Sequence, residues 1–362
     1  MIFNSSGNVE CHIELSDYCN AACPMCGRNQ VYGKSKEYEM VVRDDVDSSQ
    51  LTIDNIKKIF DKRFFDTYNL TKINLCGTRG DPATATDLFE ICEYLFSSQP
   101  KLRIKMATNG GLKTAEYWKK LGNLFSKYGN KSRVTFGIDG LEDTNHIYRQ
   151  NVIFKSVMRN AQAFIDGGGT AHWQYLIFKH NEHQVIKAKE LSESMGFKKF
   201  YLYHTPRFAS LQEKNGQYVF KYKGKTHILE TADPEFYVRQ EVDAYIQSDN
   251  GDVINCKSKD LQEFYIDSHG RLLPCCWLGS SLSRTLRGDK RRDPIMSMYD
   301  TKEMNVINND LVDTLQHDWI AEVVTDAWKY IGGDNCPSWT CKQFCSKSKN
   351  LRKARVNIQK SK

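Results

Sequence analysis

The 362-residue sequence has no run of eighteen apolar residues, so nothing in it has the length and polarity of a bilayer-spanning helix. Its opening stretch, MIFNSSGNVECHIELSD, lacks a basic segment followed by an apolar one, which is the pattern of an export signal. No internal repeat is present. From Lys342 onward there are eight Lys or Arg and no Asp or Glu. That tail can carry the whole formal excess of +7, which leaves the rest nearly neutral and argues against a generally basic surface. A soluble, cytoplasmic protein without membrane contact is expected.

What the sequence does have is cysteine. There are twelve, and without an export signal a secreted disulfide framework is a poor explanation for them. Three lie within eight residues near the N-terminus, six lie beyond residue 255, and only Cys11, Cys76 and Cys92 fall outside these groups. Clustered in this way, cysteines read first as metal ligands.

Over the first two hundred residues, strand-like segments (VECHIEL, TKINLC, RIKMAT, RVTFGI, AHWQYLIF, KKFYLYH) alternate with helix-like ones such as TAEYWKKLGNLFSKYG. The pattern predicts an α/β fold with a parallel sheet. Six strands are too few for a closed eight-stranded barrel but suit a partial (βα)6 TIM-like barrel. Functional groups in such arrays collect where strands end. Four polar motifs fall there: the cysteine loop after strand one, CGTRGDP after strand two, TNGG after strand three and IDGLEDTNHIYR after strand four. Past about residue 205 the alternation fades, and the stretch toward residue 255 reads as a connector without clear period. The expected organisation is residues 1–235 as the barrel, 236–345 as a small cysteine-rich module and 346–362 as a basic tail.

The spacing Cys19-x3-Cys23-x2-Cys26 puts three thiolates on one loop. Each can bind one iron of a cubane and leave the fourth iron open to a cofactor. Zinc would want a fourth thiolate or histidine nearby, and His12 lies on the strand before the loop. LSDYCNAACPMC resembles the signature loop of the radical S-adenosylmethionine superfamily, with Met25 at the family's aromatic-or-apolar position. The resemblance implies a 4Fe–4S cluster on Cys19, Cys23 and Cys26, and S-adenosylmethionine cleaved to a 5′-deoxyadenosyl radical. It also implies an electron donor such as flavodoxin or ferredoxin.

The other strand-end motifs carry over residue by residue. Gly80-Asp81-Pro82 resembles the family's Gly-Gly-Glu-Pro motif facing the cofactor's amino group, with Asp one methylene shorter. Asn109, in Thr108-Asn109-Gly110, resembles the third-strand motif. Asp139 in Ile138-Asp139-Gly140, with Arg149, resembles the fourth-strand pattern, in which the arginine is suited to pair with a carboxylate. Gly137 stands where the family often has serine. Gly80, Asp81, Asn109, Asp139 and Arg149 are therefore the expected cofactor-binding residues.

Cys256, thirteen residues, Gly270, four residues and Cys275 resemble the opening of the SPASM/twitch module, and Cys336, Cys341 and Cys345 its closing cysteines. FYIDSHGRLLPCC also reads as a hairpin turning at Ser-His-Gly, which brings Cys256 and Cys275 together. One auxiliary 4Fe–4S cluster is expected on Cys256, Cys275, Cys341 and Cys345, with Cys336 or Cys276 as substitutes. Zinc on the same thiolates is the competing reading. Cys76, at the end of strand two, is the candidate catalytic thiol against the alternative of an inert core cysteine. Cys92 reads as core. Trp173, Tyr175, Tyr203 and His204 either line a substrate cavity or pack the core.

Modules of this type imply modification of a peptide or protein side chain. Methylthiolation of a ribosomal protein or tRNA, and radical dehydrogenation of a small molecule, are the enzymatic alternatives. The basic tail would suit ribosome or RNA contact. The non-enzymatic alternative is an iron–sulfur or zinc protein that binds nucleic acid.

Overall fold

A computed structural model describes residues 3, 7–32, 36–129, 131–205, 207–208, 216–233, 236, 254–286, 293–329 and 337–345. Its strands are β1 (Asn8–Ile13), β2 (Asn29–Val31), β3 (Met40–Val42), β4 (Asn69–Leu75), β5 (Arg103–Thr108), β6 (Arg133–Gly137), β7 (Ala171–Leu176), β8 (Lys199–Tyr203), β9 (Gln217–Tyr222), β10 (Lys225–Glu230), β11 (Glu263–Ile266) and β12 (Leu272–Leu273). Eight of them form one sheet in the order β12-β11-β1-β4-β5-β6-β7-β8. The six barrel strands anticipated from the sequence are β1 and β4 to β8. No helix among the described residues is long and apolar enough to cross a membrane.

Alternation along the strands explains why this sheet has one face under helices and one polar face. Val9, Cys11 and Ile13 are fully buried, whereas Glu10 and His12 between them are partly open. On β6, the buried Val134 and Phe136 alternate with the partly open Arg133 and Thr135 in the same way. The helices bring capped ends and apolar faces to the first of these surfaces. Thr114 caps the helix Ala115–Tyr128 by accepting from Tyr117 N–H at 3.3 Å, and that helix buries Trp118, Leu121 and Phe125.

The chain divides into two compact units. The first comprises Met1–Asp17, Asp47–Lys105 and Ala244–Leu351. Here β11 lies parallel to β1, pairing Glu10 with Glu263 and His12 with Tyr265, while β12 turns back antiparallel on β11. The segment after residue 255 thus adds strands to the barrel sheet itself. The second comprises Tyr18–Val46, Met106–Asp243 and Arg352–Lys362. There β7 pairs in parallel with β6 and β8.

The stretch read as an unpatterned connector contains a β-hairpin. β9 and β10 pair antiparallel around Lys223-Gly224, both at positive φ. Two such residues fit the two-residue turns that match strand twist. Trp173 and Tyr175 are fully buried core residues rather than cavity lining. They stand at the apolar positions of β7, against Phe197 and Phe200. Tyr203 shares the opposite face of β8 with Tyr201, and the two rings stack at 6.0 Å.

Candidate functional site

In the second unit, the cysteine loop is tied down through its backbone. Cys26 N–H donates to the Cys23 carbonyl at 3.0 Å, and Asn29 donates to the Cys26 carbonyl through its backbone and to the Cys23 carbonyl through its side chain. Ala22 N–H donates to Gln150 O, Tyr218 Oη to Pro24 O at 3.1 Å, and the Arg207 guanidinium to Met25 O. A loop with its carbonyls so engaged holds its side chains in place without a regular element.

Two side-chain donors approach the thiols. Asn109 Nδ2 donates to Asn20 Oδ1 at 2.9 Å and lies 3.6 Å from Cys19 Sγ, while its Oδ1 accepts from Gly111 N–H. Arg149 points one Nη to Cys23 Sγ at 3.8 Å and donates through Nε to Asp139 at 2.6 Å. Asp139 is completely buried, and its other oxygen accepts from Leu176 N–H at 2.7 Å. Burial pushes the Cys23 thiol up to about 11, with the neighbouring Arg149 charge pulling the other way. Burial likewise raises the Asp139 carboxyl, opposed by Arg149. For Arg149, burial works against the charge, but Asp139 and Cys23 outweigh it and hold the guanidinium charged.

Gly137 is what makes room for this arrangement. A Cβ there would stand 2.5 Å from Arg149 Nη2 and 3.0 Å from Cζ. The serine often found at this position in the family would therefore collide with a guanidinium that Asp139 fixes. Gly137→Ser is expected to displace Arg149 and destabilise the protein by about 1–3 kcal/mol. Urea denaturation reads this directly, and an unchanged midpoint would mean the guanidinium is free to move aside.

In the first unit, Cys76 follows β4, and its carbonyl accepts from His12 Nε2 at 2.6 Å. His12 is thus committed to the backbone of this strand end. Gly80 lies against the Ser16 carbonyl, where a Cβ would clash with the backbone. Asp81 is buried and caps the short helix Pro82–Thr84 by accepting from Ala83 N–H at 2.9 Å. Both residues of the Gly80-Asp81 motif therefore have local structural roles.

The same unit gathers four of the late cysteines. The Cys256 and Cys345 thiols interact with each other, and Cys341 and Cys275 lie within electrostatic reach of both. Asn255 N–H donates to the Cys345 carbonyl at 2.9 Å. The helix Trp339–Cys345 is started by Asp293, which accepts from Ser338 Oγ and Thr340 N–H, each at 2.8 Å. Cys276 faces another way. Burial pushes its thiol up to about 12, and its charged neighbours are Glu14, Cys76 and Glu263. Cys276 opens the helix Cys276–Leu286, so consecutive side chains leave the backbone in different directions. Cys336 lies outside the described residues.

Among the described residues, no group of three or more Cys, His, Asp or Glu side chains closes on a single ion-sized point. A cubane asks for less than that, namely one thiolate per corner iron. The donor chemistry fits such clusters in both units: three thiols on one loop in the second, two thiols on the helix Trp339–Cys345 with Cys256 and Cys275 in the first, and side-chain N–H groups of the kind that tune cluster sulfur at Cys19 and Cys23.

The family model described as the Radical SAM superfamily matches residues 13–191. The chain is an enzyme of the radical SAM superfamily. A radical SAM enzyme uses a 4Fe–4S cluster and S-adenosylmethionine, and Cys19, Cys23 and Cys26 lie inside the matched span. Among solved structures, Streptococcus suis SuiB bound to precursor peptide SuiA is 14% identical, with a TM-score of 0.54, over 93% of this chain and 71% of that one. SuiB bound to S-adenosylmethionine is 15% identical, with a TM-score of 0.52, over 86% of this chain and 66% of that one. Native anSMEcpe with bound AdoMet and Cp18Cys peptide is 16% identical, with a TM-score of 0.52, over 97% and 93%. At these identities the likeness is one of fold. This radical SAM chain spans about two thirds of SuiB. No curated protein sequence matches it.

Arg207 and Tyr218 support the cysteine loop from a great sequence distance, and nothing in the sequence pattern marks them. Asn20 was readable, since it sits inside the CNAAC loop and pairs with the already suspected Asn109.

Proposed function

We propose that this radical SAM enzyme modifies a peptide or protein side chain, with an auxiliary 4Fe–4S cluster on Cys256, Cys275, Cys341 and Cys345. The observation that carries this reading is the gathering of those four thiols beside a barrel sheet. Similar folds occur in structures solved with bound peptides. When bound, the first cluster and S-adenosylmethionine supply the 5′-deoxyadenosyl radical that takes a hydrogen atom from the substrate. In this chain, Asn109 and Arg149 direct N–H groups at Cys19 and Cys23, and Asp139 orients Arg149. Gly80 and Asp81 are assigned to the cofactor's amino group. Four thiols in one neighbourhood favour a fully ligated, electron-transferring auxiliary cluster over the sulfur-carrying cluster of methylthiolation, which needs an open iron. A flavodoxin- or ferredoxin-type donor would supply electrons. The basic tail proposed to contact RNA lies outside the described residues.

Anaerobic reconstitution tests the assignment. The wild type should bind about eight irons and release 5′-deoxyadenosine with dithionite. Cys275→Ala should lose about four irons, whereas Cys276→Ala should keep all of them. Equal iron in both variants would remove the auxiliary cluster from these residues. Mass spectrometry of the host proteome with and without the enzyme then addresses the substrate.

A further inference from the structure

The polar face of β6, β7 and β8, all in the second unit, carries a charge imbalance. Across these strands the register aligns Gly137, Gln174 and Tyr201 in one row and Thr135, His172 and Lys199 in the next, with Arg133 at the start of β6. Arg133, Thr135 and Tyr201 are partly open and Lys199 is exposed, whereas Val134, Phe136 and Leu202 on the opposite face are buried. Neither Arg133 nor Lys199 has an ion-pair partner among the described residues. Between them His172 is 5% exposed, its ring edge-on to Tyr201 at 5.4 Å, and its buried Nδ1 has no hydrogen-bond partner. Burial and the two flanking cations push His172 down to about 4, which keeps it neutral. Two positive charges and a neutral, unsatisfied ring therefore share this face with no anion.

The upper row adjoins the cluster loop, because Gly137 is the residue against which the Arg149 guanidinium lies. The Thr135–His172–Lys199 row is one pleat deeper, about 7 Å along the strands, which is also the span of two residues of an extended peptide.

We infer that this face is a subsite for an acidic residue of the peptide substrate, with Arg133 and Lys199 pairing to its carboxylate. The acidic residue stands about two positions from the one modified. The inference rests on the proposed peptide substrate and narrows its class to acidic peptides. Arginine offers a bidentate fork for a carboxylate and lysine a second point charge, so the pair can discriminate Glu or Asp from Gln or Asn.

Fluorescence anisotropy on the reconstituted holoenzyme tests this with three fluorescein-labelled octapeptides: alternating Glu-Gly, Gln-Gly and Lys-Gly. The Glu-Gly peptide should bind at least about tenfold tighter than the Gln-Gly one, as expected for one or two charge-assisted hydrogen bonds. The double variant Arg133→Gln/Lys199→Gln should abolish that preference with an unchanged circular dichroism spectrum. Lys187→Gln/Lys198→Gln, which removes the same charge from exposed positions, should retain it. Equal binding of all three peptides, or an acidic preference that survives in the first double variant, overturns the subsite. If no peptide binds at all, the peptide reading falls with it.

Discussion

Cys23→Ala is expected to leave a folded protein that forms no detectable 5′-deoxyadenosine and holds about four irons instead of about eight. The cause is stoichiometric as much as structural. A three-thiolate cubane has no spare ligand, and the loop is held by backbone bonds that bring no substitute sulfur to that corner. The side chain donating to that thiol is the Arg149 guanidinium, a cation unable to ligate iron. Iron analysis and chromatography of the nucleoside under dithionite measure both quantities. Retention of more than about one tenth of the wild-type nucleoside would show that the cluster does not depend on this corner.

Arg149→Met is the second large effect, and it can be read without any cluster. The substitution leaves Asp139 completely buried, with the Leu176 N–H the remaining bond to its carboxylate of those described. Removing one partner of a buried ion pair costs about 3–5 kcal/mol, because the other charge remains without solvent or compensation. Urea denaturation of the metal-free protein should show that loss, and Arg149→Lys should fall between, since a point charge replaces a fork. A cost below about 1 kcal/mol would mean that Asp139 protonates or rehydrates and the pair is not structural.

How far the sequence could be read depended on the range over which each feature is encoded. The Cys19–Cys23–Cys26 loop is local and its spacing exposed it, while Asp139 and Arg149, ten residues apart, were picked out by resemblance to the family's fourth-strand motif. Six barrel strands were legible because alternation with helices repeats. The four-residue strand Glu263–Ile266 is too short for any period to declare its partner, so its pairing with β1 needed the structure. Cys275 and Cys276 could not be told apart by spacing, because their divergence depends on where a helix begins. Trp173 and Tyr175 are instructive in another way. Their parity along β7 was available, but only the aromatic partners Phe197 and Phe200 fix which face is the inner one. The Lys223-Gly224 hairpin went unread because its strands lack a clean polar–apolar alternation, the exposed Ile228 among them.

The pairing of β11 with β1 has a consequence for dissection of the molecule. Without β11, the backbone donors and acceptors of β1 on that side, from Glu10 to Ile13, would have no ladder to join. A bare strand of that kind invites pairing with another copy. A chain stopped before residue 254 is thus expected to precipitate or self-associate. The late cysteines arrive on a segment that also seals the rim of the catalytic fold.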